Sequence, residues 1–232
     1  MRRNLVLLLT LSVLFACSGW ANAALVTVGT ANYDNDGDGT GEVYNLIYED
    51  DSVYGGLVWL DYSNDPDIWD NQMSWASALG GVLTVSLDTL YTTSIEWDSG
   101  WRLPSAGDDP QLGGYETTHE MGHLYHESLG NPGGDVPLDD TTPFEDLNTD
   151  QLDYYWMAEE VSDEPNDAWF FGFGDGGQLV FCNKYESYDA LAVHPGQVSG
   201  PGIPPTVPIQ GTLWLLGSGL IGLVGIRRRL HK

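Results

Sequence analysis

All 34 acidic residues of this 232-residue chain lie between Asp34 and Asp189, and only Arg102 and Lys184 oppose them there. The other basic residues sit at the two ends, as Arg2 and Arg3, then Arg227, Arg228, Arg229 and Lys232. Thirty-four carboxylates less two cations leave the interior with 32 net negative charges. So acidic a stretch is either a disordered tail or a folded domain with a solvated carboxylate surface. Aromatic residues make up 12% of the chain, which decides for the folded domain. Its field repels phosphate backbones and anionic lipid, so nucleic-acid binding is excluded. Cations, calcium and neutral glycans remain compatible with it.

The ends read as addresses. Residues 1–23 have the form of a secretory signal: Arg2-Arg3, an apolar run from Leu5 to Ala16, then Ala21-Asn22-Ala23 as a cleavage site. At the other end, residues 199–211 are a Pro/Gly linker and residues 212–232 a hydrophobic segment with a basic tail. Its apolar run, Thr212 to Ile226, is shorter than the roughly 20 residues of a comfortable span. The arginines after it should hold the extreme C-terminus in the cytoplasm. Val207, Pro208 and Gly211, the run LWLLGSGLIGL, and Arg227, Arg228 and Arg229 resemble a PEP-CTERM sorting tail of the VPLP type. Gln210 stands where that motif usually has a second proline. The resemblance implies processing by an exosortase after transient anchoring in the inner membrane of a Gram-negative bacterium. A permanent single-span anchor is the alternative, and both place the body outside that membrane. With Cys17 removed in the signal, Cys182 is left without a disulfide partner.

Between the ends, patterning predicts an α+β domain over residues 24–198. Val43–Tyr48 and Gly56–Leu60 read as a hairpin, and Asp67–Leu79 as a helix ended by Gly80-Gly81. A second helix is expected over Thr118–Leu129, followed by an acidic loop, 133–153. Short strands follow at 154–157, 169–173, 178–181 and 190–193, giving two helices and a late antiparallel sheet. Trp59, Trp75, Trp101, Trp156 and Trp169 are expected in the core, and Arg102 as a bidentate clamp on a neighbouring carboxylate.

Several segments occur in a telling order: Asn35–Thr40, Gly56–Leu60, Trp75-Ala76, Trp101-Arg102-Leu103-Pro104-Ser105, Tyr155–Ala158 and Ala192–Gly196. Together they resemble the DUF1566, or Lcl C-terminal, domain of bacterial surface proteins, with WRLP the most specific match. Met157-Ala158 and His194 depart from the family's serines and arginine. The resemblance implies a C-type-lectin-like fold, a binding scaffold with no shared catalytic set.

Two motifs carry chemistry. Asp34, Asp36 and Asp38, with Gly39 after them, space like the start of a calcium loop, although position 12 is Asn45 rather than Glu. Such runs are also ordinary hairpin turns. His119-Glu120-Met121-Gly122-His123 matches H-E-x-x-H, and His126 falls on the same helical face, so zinc on His119, His123 and His126 with Glu120 as base is one reading. The competing reading makes Thr117 an N-cap and Glu120 its capping-box partner, with Met121, Leu124, Tyr125 and Leu129 buried and the histidines solvated. The second is preferred, because the metzincin extension is missing. The expectation is an exported, non-catalytic surface or matrix protein that binds a glycan or matrix polysaccharide, a protein partner or calcium. A secreted zinc metallopeptidase is the alternative.

Overall fold

The computed structural model describes residues 25–50, 55–113, 117–131, 138, 141–149 and 154–204. The signal, the hydrophobic segment and the sorting residues Val207, Pro208, Gly211, Arg227, Arg228 and Arg229 lie outside them. Among the described residues, no helix is long and apolar enough to cross a membrane.

Strands dominate: β1 (Leu25–Tyr33), β2 (Glu42–Glu49), β3 (Leu57–Asp67), β4 (Thr84–Leu87), β5 (Thr92–Thr93), β6 (Tyr154–Val161), β7 (Glu164–Gly172), β8 (Gly177–Asn183), β9 (Tyr188–Pro195) and β10 (Val198–Ser199). The helices are short, α1 over Trp69–Ala78 and α2 over Glu120–His123. The α+β, lectin-like expectation is therefore corrected. The early and late strands form one eight-stranded sheet, in the order β4-β1-β2-β3-β9-β6-β7-β8, and β5 and β10 pair separately. The expected hairpin is real, with Leu46 opposite Leu60 and Tyr48 opposite Val58. What joins the halves is the antiparallel contact of β3 with β9, Trp59 facing Val193.

The apolar runs explain why the sheet absorbs so much of the chain. Val58 and Leu60 of β3 pack in one hydrophobic cluster with Tyr44, Leu46, Trp156, Phe170 and Ala192. Their neighbours Leu57 and Trp59 pack in a second, with Ile47, Tyr155, Met157, Phe171 and Val193. Alternate residues thus enter opposite cores, and a strand buried on both sides must read as a continuous apolar run. α1 covers the first face through Trp69, Ala76 and the following Leu79. Trp69 locks onto β6, its Nε1 donating to the Met157 carbonyl at 2.8 Å, and Trp156 Nε1 donates to the Asp67 carbonyl at 3.0 Å. Met121, Leu124, Tyr125 and Phe144 cover the second face. Of the five tryptophans expected inside, Trp59, Trp101, Trp156 and Trp169 are buried, and Trp75 is half-buried against the first cluster.

Pairing between β6 and β9 is the irregular part. They run parallel and meet at Tyr155 and Asp189. Further along they separate, and Trp101–Ser105 fills the gap. Arg102 N–H donates to the Val193 carbonyl at 3.0 Å, and Val193 N–H returns to the Arg102 carbonyl at 2.9 Å. On the other side, Ala158 N–H donates to the Pro104 carbonyl at 2.9 Å. The WRLPS segment is a wedge in a forked sheet. Proline suits it, since the Pro104 carbonyl accepts while its missing N–H is not called upon.

Candidate functional site

Arg102 leaves the wedge and pairs with Glu120 as a bidentate fork. Nη1 donates to Oε2 at 2.7 Å and Nη2 to Oε1 at 2.6 Å, while Ser105 N–H also donates to Oε2 at 2.7 Å. The glutamate side chain is 4% exposed and the arginine side chain 34%. Burial works against the guanidinium charge, but the Glu120 hydrogen bonds and the carboxylates of Glu120 and Glu159 outweigh it, so its pKa is raised. Glu159 is held in turn by Ser105 Oγ at 2.7 Å and Ala106 N–H at 2.5 Å. Around these groups opens a cleft of about 480 Å3 whose lining includes Asp108 and Thr118.

The sequence reading of α2 needs correction. Its N-cap is His119, not Thr117: Nδ1 accepts the Gly122 N–H at 3.0 Å. Glu120 is the first helical residue, and its carboxylate turns to Arg102 rather than to a cap amide. Gly122 weakens the helix interior. After four α residues the chain widens into a π turn over Leu124–Ser128. The histidine face is not solvated either. His119 is 1% exposed and sits edge-on to Phe171, with ring centroids 5.6 Å apart. Desolvation, with a smaller contribution from His126, lowers its pKa to about 4.

Each histidine has its own structural task. An Nδ1 that accepts a hydrogen bond leaves neutral His119 with its proton on Nε2, so neither nitrogen offers a lone pair to zinc. His123 Nδ1 faces Glu49 Oε1 at 3.0 Å. Glu49 is buried and also receives Trp59 Nε1 at 2.8 Å and the Ser128 hydroxyl. Ser128 and Glu49 both address the same nitrogen of His123, so this trio lacks the opposed geometry of a nucleophile–base–orienter set. His126 places Nδ1 3.1 Å from the Asn131 carbonyl and Nε2 2.9 Å from that of Gly176. Gly176, at φ +72°, lies in the β7–β8 turn where an added Cβ would fall 2.3 Å from Tyr125, so the turn can close on α2 only as glycine.

Among the described residues, only Asp34, Asp36 and Asp38 bring three His, Cys, Asp or Glu ligand atoms within 4.8 Å of one another. All three are exposed and already accept backbone N–H groups. Asp34 takes that of Gly39 at 3.0 Å, Asp36 that of Asp38 at 3.0 Å and Asp38 that of Thr40 at 2.7 Å. A tight turn between β1 and β2 by itself accounts for the spacing.

Sequence reasoning missed three buried carboxylates, Glu49, Asp61 and Asp189. Asp61 accepts the N–H groups of Glu145 at 2.9 Å and Asp146 at 3.1 Å, tethering the 141–149 loop. Burial raises its pKa, and those hydrogen bonds pull the other way. Glu49 and Asp61 each follow an apolar run at the parity of the second face, the signal that could have found them. No family model, curated protein or solved structure matches this chain.

Proposed function

We propose that this chain is an exported cell-surface or matrix protein whose acidic β domain binds a ligand and catalyses nothing. In this reading residues 1–23 direct export, and Val207–Gly211 with Arg227, Arg228 and Arg229 are sorted by an exosortase-type enzyme. The ordered WRLPS and flanking motifs resemble those of DUF1566 domains, and that resemblance supports the surface-protein reading. The observation that carries the non-catalytic reading is the Arg102–Glu120 fork. A carboxylate holding two guanidinium donors and an amide is a poor general base, and the histidines beside it are committed to Gly122, Glu49, Asn131 and Gly176.

Metal analysis and peptidase assays on the purified full chain test this. No retained zinc and no turnover are expected. Stoichiometric zinc lost in His123→Ala would overturn the reading. Intact-mass analysis of the surface protein tests the tail: loss of Lys232 is expected, with uncleaved or misoriented chain once the three arginines are neutral. Calcium at Asp34, Asp36 and Asp38 belongs to the same proposal. Melting with millimolar Ca2+ reads it, because a ligand 100-fold above its Kd stabilises by about 2.7 kcal/mol. An unchanged Tm removes calcium.

A further inference from the structure

We propose that the cleft at the sheet fork binds a neutral carbohydrate, whose hydroxyls bridge free N–H groups of Arg102 and the carboxylates of Asp108 and Glu159. The proposal rests on the binding reading above and names its ligand class. It starts from the hydrogen bonds of Arg102. Nη1 donates to the Leu103 carbonyl and to Glu120, and Nη2 gives one hydrogen to Glu120. The Nε hydrogen and the second Nη2 hydrogen have no partner among the described residues, and a third of the side chain is exposed where it lines the cleft. Opposing these donors are acceptors. Glu159 uses one bond per oxygen, each of which can accept another, and Asp108 is exposed at the cleft wall.

Charge and hydrogen-bond polarity narrow the ligand. Glu120, Glu159 and Asp108 stand against one guanidinium, within a body of 32 net negative charges, so an anion is repelled. A cation finds acceptors but faces the spare Arg102 donors, which it cannot satisfy. A hydroxyl accepts from the guanidinium and donates to a carboxylate at once. A peptide amide also does both, but its side chains would find no large apolar group in the lining, where Ala158 is the most apolar residue. Where β6 and β9 part, the 101–105 wedge pairs with both strands, and the cleft opens beside it, where Arg102, Ser105 and Glu159 present their side chains.

Backbone amide NMR on the full chain tests this, with methyl glycosides of glucose, galactose, mannose and N-acetylglucosamine as probes, beside an oligogalacturonate and acetyl-trialanine-methylamide. At least one neutral glycoside is expected to shift the amides of Ser105, Ala106 and Gly107 saturably and independently of salt. Asp108→Ala, at an exposed position, should weaken binding about tenfold, the worth of one good hydrogen bond, with no change in melting. Arg102→Lys keeps a cation beside Glu120 and should weaken it further. No shift with any glycoside, no effect of Asp108→Ala, or stronger shifts with the uronate or the peptide would each overturn the proposal. A sugar that shifts other amides leaves the binding function standing and removes this cleft. Hydrolysis of a probe would instead remove the non-catalytic reading.

Discussion

The two cations of the acidic body face opposite circumstances. Arg102 meets a carboxylate whose side chain is 4% exposed, and Lys184 meets Glu160, 53% exposed. The arginine is planar, bidentate and set in a wedge between strands. The lysine is a point charge that also donates to the Pro165 carbonyl at 2.8 Å and lies 4.6 Å over the Trp69 ring. Where cations are this scarce, their placement shows where the chain cannot do without one. The Glu120 carboxylate is buried and needs a charged partner, whereas Glu160 is half exposed to water.

The largest effect should come from breaking the buried pair. Arg102→Ala leaves Glu120 with one amide donor and should cost about 3–5 kcal/mol in urea unfolding. Replacing Arg102 and Glu120 together by leucine should recover much of that loss, because no buried charge is then stranded. A cost below about 1 kcal/mol for Arg102→Ala would place the pair with surface bridges.

Acid provides the next largest effect, through His119 beside the same pair. The folded chain holds this ring to about 4, while the unfolded chain takes a proton near 6.5. Between these values the unfolded state binds more protons, so stability is lost as pH falls from 6.5 towards 4. The full loss is about 3 kcal/mol. His119→Asn keeps a capping acceptor without the titration, so the difference between the two pH profiles isolates the ring. Parallel profiles would show that burial of His119 carries no such cost.

Lys184→Met should be the mildest. Its ion pair is worth under about 1 kcal/mol and falls further with salt, and stacking over Trp69 adds about 0.5–1 kcal/mol. A loss as large as that of Arg102→Ala would erase the contrast between the two cations.

The same contrast marks what was legible in the sequence. Arg102 could be read as a clamp because the composition leaves so few cations, and Trp59 and Trp156 as core because their runs alternate between two faces. α1 emerged nearly whole, since its apolar spacing is regular, although the chain runs on as a 3-10 turn through Gly80 and Gly81 instead of stopping there. α2 did not. Its periodicity is diluted by Gly122, and its cap is a buried histidine where rules based on Thr117 and Glu120 point elsewhere. The sheet's unity was also invisible: a local pattern cannot show that Leu57–Leu60 will lie beside Ala192–Pro195, nor that a proline segment will sit between β6 and β9.

That inserted segment has a kinetic consequence. Arg102 must find Val193, and Pro104 must find Ala158, partners separated from them by much of the domain, so these contacts carry a large loop-closure cost and should form late. A chain that has formed its hairpins but not yet seated residues 101–105 has no cleft at all. Occupancy of that cleft would therefore count only finished molecules, and a ligand there would slow unfolding by holding shut the last join to be made.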